Sequence, residues 1–251
     1  MSGHSHWAKI KRQKGSNDAK RGREWSKLAR RIIVAAKSGG ENSEENLSLR
    51  YAIDEAKAAN MPKDTIEKAI KKGSGELGAE NYEQVMYEGY GPGGVAFIVD
   101  CLTNNRARTA PEMRKLFERG GGQLGTTNCV AWMFEQKGTF AISADKAGED
   151  ELMEIALEIG ADDVKREGDL FELTCQPQDF AKVRQALADR KIETVSAQIA
   201  MVPKNTVPVG ANKTSQVVNL MENLEEHEDV QNVYANFDIS EEALAAAAEK
   251  E

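Results

Sequence analysis

The side chains that suggest chemistry are concentrated at the N-terminus, where cations predominate. Residues 1–37 hold eleven Lys and Arg against two acidic residues, a net charge of +9. The whole chain carries −8, so the remaining 214 residues carry −17. A basic arm on an acidic body is typical of proteins that meet a polyanion arm-first. The pattern therefore predicts that the N-terminus binds nucleic acid or another anionic surface.

The arm and the helix after it supply the first set of predicted contacts. Their cations can hold phosphates, and Trp7 can stack on an unpaired base. The alternative for Trp7 is packing against the helix, because tryptophan usually seeks burial. The predicted nucleic-acid-binding residues here are Trp7, Lys9, Lys11, Arg12, Lys14, Lys20, Arg21, Arg23, Arg30 and Arg31.

A second basic spot lies in the stretch TNNRART, residues 103–109. Arg106 and Arg108, with the amides of Asn104 and Asn105, precede a predicted helix and could hold phosphates. A turn with solvated arginines is the alternative, and the sequence leaves both open.

Two histidines of the arm, His4 and His6, raise the question of a metal site. Removal of Met1 would leave the start Ser-Gly-His, whose nitrogen donors suit square-planar Cu(II) or Ni(II). We interpret this as adventitious binding only, and we predict no functional metal and no cofactor. His227 stands in the acidic stretch EEHED and is predicted to be a surface residue rather than a general base.

The remaining motifs do not support an enzyme. Two G-x-G-x-x-G patterns, at 89–94 and 120–125, lead into predicted strands, whereas a dinucleotide site needs a helix after the glycines. The three cysteines lack zinc spacing and are interpreted as small hydrophobic residues in a reducing compartment. We therefore expect a protein that is not an enzyme and has no small-molecule substrate.

Composition places the chain among globular proteins. It is 40% hydrophobic and 29% charged, and no stretch approaches the roughly 20 apolar residues of a membrane helix. The N-terminus lacks the apolar segment of a secretory signal. The sequence predicts a cytoplasmic protein without a membrane partner.

Periodicity predicts the elements that must position these residues. Apolar positions at helical spacing predict helices over 20–37 and 46–59. A third helix should follow Pro62, with a capping box at Asp64 and Glu67, and should end at Gly73. Residues 73–81 are predicted to be a linker.

After the linker the period changes to that of strands. Two strands joined by a Gly-Pro-Gly turn precede a helix over 110–119, opened by a capping box at Thr109 and Glu112. The segments VAWMF and TFAIS are predicted to be two strands around a Gln-Lys-Gly turn. From there to about residue 202 the order is βαββαβ, the ferredoxin-like unit. Helix 213–227 and strand 230–237 should return to complete the first sheet.

The predicted fold class is multi-domain α+β. An N-terminal three-helix domain precedes two α+β domains, and the last is a ferredoxin-like βαββαβ insertion in the middle one. The predicted boundaries are 1–19 for a flexible basic arm, 20–76 for the helical domain, 82–136 plus 204–239 for the discontinuous domain, 137–203 for the insertion and 240–251 for a tail.

Several long stretches resemble the YebC family. They include GHSHWAKIK, AIDEAKAANMPKDTIEKAIKKGSGE, YEGYGPGGVAFIVDCLTNNRARTAPEMRKLF and GGQLGTTNCVAWMFEQKG. The resemblance covers about residues 1–239 and implies a three-domain protein with one α+β domain inserted in another. It departs from the family pattern at Arg12-Gln13-Lys14 and in the loop 41–49.

The resemblance implies a regulator of gene expression. The family is usually described as DNA-binding transcriptional regulators, its mitochondrial members as translational activators, and bacterial members as linked to ribosomes delayed on proline-rich sequence. The arm Lys9–Lys14 and the run Lys20–Arg23 match the family's basic N-terminus. We expect a partner that is nucleic acid, most simply the RNA of the ribosome, with duplex DNA as the alternative, because a body of charge −17 would repel a duplex.

Overall fold

Three helices form the N-terminal domain of the computed structural model. The structure describes residues 18–78 and 81–239, without the side chains of residues 18–20, 167 and 211. The helices are α1 (Asp18–Gly39), α2 (Leu47–Ala58) and α3 (Lys63–Ser74). Their shared core includes Ile32, Ile33 and Ala36, which belong to the apolar stripe that the helical spacing of α1 predicts. Leu49 of α2 and Ile66 of α3 pack into the same core. The predicted tail 240–251 and all but the last two residues of the predicted arm 1–19 lie outside the described residues.

The ends of α3 differ from the prediction. Pro62 is the N-cap and no side chain caps the helix, so the capping box at Asp64 and Glu67 is wrong. Gly73 does not end the helix but lies inside it, where a Cβ would stand 2.6 Å from the Cβ of Ala36. The helix ends at Gly75, whose φ of 90° is the left-handed cap that glycine favours. Gly73 is therefore needed for the close approach of α3 to α1.

The middle domain is a four-stranded antiparallel sheet covered by two helices. The strands lie in the order Gln123–Leu124, Glu83–Tyr90, Ala96–Thr103 and Val230–Ala235, so the strand predicted over 230–237 does return to the first sheet. The core between sheet and helices includes Phe97, Val99, Phe117, Leu220 and Val233. The elements are β1 (Glu83–Tyr90), β2 (Ala96–Thr103), α4 (Arg106–Arg119), β3 (Gln123–Leu124), β8 (Val207–Pro208), α7 (Ala211–Glu226), β9 (Val230–Ala235) and β10 (Phe237–Asp238).

Helix α4 begins earlier than the sequence predicts. Its N-cap is Asn105, whose side-chain oxygen accepts a hydrogen bond from the backbone N–H of Arg108. Thr109 therefore lies within the helix, and the predicted capping box at Thr109 and Glu112 is wrong. The hydroxyl of Thr109 instead donates to Asp229, 120 residues away, a partner that local patterns cannot indicate.

The inserted domain has the predicted ferredoxin-like order. Its strands lie in the order Asp163–Glu167, Leu170–Cys175, Phe134–Ser143 and Thr194–Pro203, with all pairs antiparallel. Both helices pack on one face around Phe140, Leu152, Leu173 and Val183. The multi-domain α+β class with a βαββαβ insertion is confirmed. The elements are β4 (Phe134–Ser143), α5 (Glu149–Ile159), β5 (Asp163–Glu167), β6 (Leu170–Cys175), α6 (Phe180–Asp189) and β7 (Thr194–Pro203).

The predicted turn at Gln-Lys-Gly is wrong. Strand β4 runs without interruption through Gly138, which pairs with both Cys175 and Ile199. A Cβ on Gly138 would stand 2.6 Å from the Cys175 sulfur and 2.9 Å from the Phe180 ring. The glycine thus permits close packing in a strand and not a reversal of the chain. Residues Ala131–Met133, predicted as strand, form a short 3₁₀ turn before β4.

The second face of the middle sheet is covered where the inserted domain joins it. Ala96, Ile98 and Tyr234 pack there against Phe134 and Ala200. Two of the cysteines, Cys101 and Cys175, are buried free thiols, and burial raises the pKa of Cys101 to about 12 and that of Cys175 to about 11. No helix within 18–78 or 81–239 has the length and apolar character to cross a membrane.

Candidate nucleic-acid interface

The basic side of α1 faces the segment 225–232, which joins the end of α7 to β9. Arg23 lies 3.1 Å from the carboxylate of Glu226, and Lys27 donates to the carbonyl of Glu225. Arg31 donates to the side chains of Gln231 and Asn232, each at 3.1 Å, and pairs with Glu55 at 2.7 Å. Arg23 and Arg31, which the sequence assigns to nucleic acid, thus join Lys27 in holding the N-terminal domain against the middle one.

Arg30 makes the most enclosed of these contacts. Its side chain is 14% exposed and lies 3.1 Å from Asp229, which is 1% exposed. It also donates to the carbonyl of Glu228 and stacks over Tyr82, 5.7 Å from the ring centre. A guanidinium committed to a buried carboxylate, a carbonyl and a ring has little capacity left for a phosphate.

Asp229 is the centre of a buried polar network. Its Oδ2 accepts from the hydroxyl of Thr109 at 2.7 Å and from Arg108 at 2.8 Å. Thr103, fully buried, lies 2.8 Å from the Thr109 hydroxyl. Among the described residues no donor is aligned with the other oxygen, Oδ1, and its compensation there is the charge of Arg30.

The ionised form of Asp229 is the stable one in the folded protein. Burial alone would raise its pKa, but the hydrogen bonds from Thr109 and Arg108 and the charges of Arg108 and Arg30 hold the pKa below its usual range. The same contact raises the pKa of Arg108. Asp229 was not recognised in the sequence, because a single aspartate in an acidic run carries no local signal of burial.

His227 is not the surface residue that the sequence predicts. Its side chain is 16% exposed, and its Nε2 lies 3.0 Å from Glu112. Its Nδ1 accepts a hydrogen bond from the backbone N–H of Asp229. Glu112, His227 and Asp229 lie close enough to suggest a metal site, but their donor atoms are already committed to one another and to two arginines. We interpret the group as a hydrogen-bonded junction.

The stretch 103–109 divides its functions between structure and surface. Asn105 caps α4 and Arg108 pairs with Asp229, so neither amide nor guanidinium is idle. Arg106 is exposed, and in the part of the chain that the structure describes its side chain has no ion pair or hydrogen bond. The phosphate-binding prediction for this loop therefore depends on Arg106.

The remaining predicted residues lie at or before the start of α1. Arg21 is exposed and stacks over Trp25, 5.8 Å from the ring centre. Trp25 in turn donates to the carbonyl of Ala59 at 3.0 Å. Lys20 lies in α1, but its side chain is not among those that the structure describes. The predicted contacts at Trp7, Lys9, Lys11, Arg12 and Lys14, and the histidines His4 and His6, fall outside the described residues.

Comparison with protein families gives two adjoining matches. The model of the TACO1/YebC protein N-terminal domain matches residues 5–76. The model of the TACO1/YebC second and third domain matches residues 82–237. Together they span the helical domain and both α+β domains.

Individual relatives are similar over nearly their whole length. A probable transcriptional regulatory protein of Syntrophobacter fumaroxidans is 53% identical over 245 residues, which are 97% of this chain and 98% of that one. One of the same description from Pelotomaculum thermopropionicum is 50% identical, with 96% and 100% covered. Among solved structures, a conserved hypothetical protein of Aquifex aeolicus has a TM-score of 0.81 and 45% identity, covering 89% of this chain and 92% of that one.

Proposed function

The chain belongs to the TACO1/YebC family, and from that premise we propose that it is a regulator of gene expression that binds nucleic acid and catalyses no reaction. The relatives support the regulatory part, since proteins about 50% identical to this chain are described as probable transcriptional regulatory proteins. The finer proposal is that it acts on translation, by binding ribosomal RNA with the basic N-terminal arm.

The observation that carries the proposal is the separation of charge along the chain. Residues 1–37 are net +9 and residues 38–251 are net −17. Four cations of α1, Arg23, Lys27, Arg30 and Arg31, are used to hold the middle domain. The predicted cations of the arm, Lys9, Lys11, Arg12 and Lys14, precede this junction in the sequence, and we propose that the contacts with a polyanion are concentrated there.

An RNA target fits this distribution better than a duplex does. A ribosome offers phosphates in concave clefts, where a thin basic segment can enter while an acidic body stays outside. A DNA duplex offers phosphates on a convex surface, where the body would approach and be repelled. The proposed partner is therefore the ribosome, contacted through its RNA.

A DNA-binding regulator is the second candidate, and one structural observation favours it. Helices α2 and α3 are joined by only four residues, 59–62, and the exposed side of α3 carries Lys63, Lys68 and Lys71. A helix-turn-helix motif consists of two helices joined by such a short connection. Asp64 and Glu67 interrupt that basic surface, and Lys63 pairs with Glu67 at 3.6 Å, which weakens the case for a groove-reading helix.

The experiment is a salt series of affinities for ribosomes, structured RNA and duplex DNA. It compares the intact chain with a variant that lacks residues 2–19. If the arm binds RNA, the intact protein should prefer ribosomes, and the deletion should remove a salt slope of about 0.7–0.9 per lost phosphate contact.

The DNA alternative makes a different prediction for the same series. One duplex sequence should be preferred by a wide margin, and Lys68→Glu with Lys71→Glu should abolish that preference while deletion of 2–19 should not. Such a result would overturn the translational proposal and support the transcriptional one.

A further inference from the structure

Two exposed aromatic side chains of the middle domain share one hydrogen-bond acceptor. Trp132 is 65% exposed and Tyr90 is 38% exposed. The indole N–H of Trp132 and the hydroxyl of Tyr90 both donate to the carbonyl oxygen of Cys129, at 3.1 and 3.2 Å. We call this pair the aromatic platform. It is unusual because Trp and Tyr normally use burial to place their rings.

The platform stands on a loop that is held rigidly from below. The carboxylate of Glu88, 4% exposed, accepts three hydrogen bonds from the backbone N–H groups of Asn128, Val130 and Ala131, at 2.7–2.9 Å. The carbonyl of Glu88 accepts a further one from Gly125 at 2.8 Å. The ordered loop holds Trp132, and Tyr90 is the last residue of β1, so both rings are positioned before any ligand arrives, which lowers the entropic cost of binding.

The polar atoms of the two rings are already satisfied, so the platform offers ring faces. A partner that needs hydrogen bonds from the indole or the phenol would have to break those to Cys129. A flat partner that stacks needs none of them. Unpaired bases bind proteins in this way, on aromatic side chains, with little regard to sequence.

The charge around the platform also suits an anion. Residues 120–134 contain no Asp, Glu, Lys or Arg, in a chain that is 29% charged. The carboxylate of Glu88 is buried and accepts three backbone N–H groups. Lys204 is exposed, and its Nζ donates to the carbonyl of Trp132 at 3.2 Å. The uncharged segment thus has a cation beside Trp132, and the first exposed carboxylate after the segment is that of Glu135.

We propose that Trp132 and Tyr90 form a stacking site for an unpaired base of single-stranded RNA, with Lys204 beside it to contact the adjoining phosphate. The inference rests on the proposed nucleic-acid function and adds a second contact, remote in sequence from the arm. We assign a base rather than a peptide as the ligand, because the polar atoms of both exposed rings already pair with Cys129 and the cation beside them matches a phosphate.

The test uses the full chain with a fluorescent single-stranded oligouridylate of about 12 nucleotides, and the same length of duplex RNA. Trp132→Ala should weaken single-strand binding by roughly 5- to 150-fold, the loss expected for one stacked base. Duplex affinity should not change, because paired bases are not available to stack. Trp132→Phe, which keeps a ring, should recover much of the affinity.

A spectroscopic readout separates stacking from a structural effect. In a Trp7→Phe, Trp25→Phe background, Trp132 is the fluorescent indole, and saturating oligouridylate should quench it. The matched control is Leu157→Ala, a side chain 82% exposed on α5 of the inserted domain, which should leave affinity unchanged.

The outcomes distinguish this site from the proposed function. If the intact protein binds neither probe at low salt, both proposals fall. If deletion of residues 2–19 abolishes binding while Trp132→Ala does not, and the indole is not quenched, the arm proposal stands and the platform proposal is overturned. If Trp132→Ala abolishes binding to intact ribosomes but not to oligouridylate, Trp132 contacts another feature of the ribosome, and the assignment of the platform to an unpaired base is wrong.

Discussion

Two carboxylates are buried in the middle domain, and they are compensated in opposite ways. Asp229, 1% exposed, is met by the guanidinium groups of Arg30 and Arg108, which come from different domains. Glu88, 4% exposed, is met by three neutral backbone N–H groups of a single loop. The first arrangement consumes arginines and joins domains. The second consumes none and fixes the loop that leads to the exposed ring of Trp132.

The difference shows why an arginine in a basic segment is weak support for a nucleic-acid contact. Arg30 and Arg31 belong to the same basic stretch as Lys9 and Lys11, yet the structure gives them protein partners. The burial of the partner decides whether such an arginine serves the fold or a nucleic acid. Leaving a buried carboxylate without its cation destabilises the fold strongly, so an arginine that pairs with one stays there.

The largest expected effect on stability is at Asp229, the buried carboxylate that two arginines meet. Asp229→Asn should lower the free energy of unfolding by about 3–5 kcal/mol, because it leaves Arg30 and Arg108 without their buried counter-charge. Urea denaturation measures it. The control is Glu228→Gln, whose side chain is 75% exposed and whose loss should cost at most about 1 kcal/mol. Equal effects of the two variants would contradict the assigned role of Asp229.

Acid should remove the same charge in the unmodified protein. The folded pKa of Asp229 is lowered, so its contribution to stability is present above the unfolded pKa of about 3.9 and is lost as pH falls through the folded value. The unfolding free energy should therefore fall from about pH 5 downward. Asp229→Asn should fall less steeply than wild type over that range, and parallel curves would show that other groups govern the acid response.

The buried carboxylate of Glu88, which is met by neutral N–H groups, should be less sensitive to substitution than Asp229. Glu88→Gln replaces one acceptor oxygen by an NH₂ group that faces backbone donors, and should cost about 1–3 kcal/mol. Glu83→Gln, at the exposed start of the same strand, is the matched control and should be nearly neutral. Equal losses of unfolding free energy in Glu88→Gln and Asp229→Asn would contradict the distinction between the two buried carboxylates.

The smallest effect is expected at the rim of the domain junction. Arg23 and Glu226 form a pair at 3.1 Å with side chains 38% and 54% exposed. Arg23→Gln should change the unfolding free energy by less than about 1 kcal/mol, because water and salt screen exposed pairs. A larger loss in 0.15 M salt would mean that the junction depends on its rim rather than on Asp229.

The fold could be predicted from sequence wherever neighbouring residues decide the structure. The periodicity of α1 and the βαββαβ order follow from spacing alone. The errors at Thr109 and Gly138 have one cause, since both residues serve partners distant in sequence: Asp229 in the first case, and Cys175 and Phe180 in the second.

The candidate site was less accessible to prediction for the same reason. Arg108 is 121 residues from Asp229, and no local pattern marks that pairing. The strand prediction for Trp132 follows from its apolar neighbours. The absence of charged residues from 120–134 is a sequence signal that could have marked this surface as unusual. The arm residues Lys9, Lys11, Arg12 and Lys14 stay a prediction.

The most direct test of the central claim is to measure ribosome affinity and thermal melting together in two variants. One changes Lys9, Lys11, Arg12 and Lys14 to Glu, and the other is Arg108→Gln at the junction. We expect the arm variant to lose ribosome affinity at unchanged melting temperature, and Arg108→Gln to melt earlier at unchanged affinity. If Arg108→Gln loses affinity without melting earlier, or the arm variant still binds ribosomes, the assignment of the arm to nucleic acid and of the junction arginines to structure is wrong.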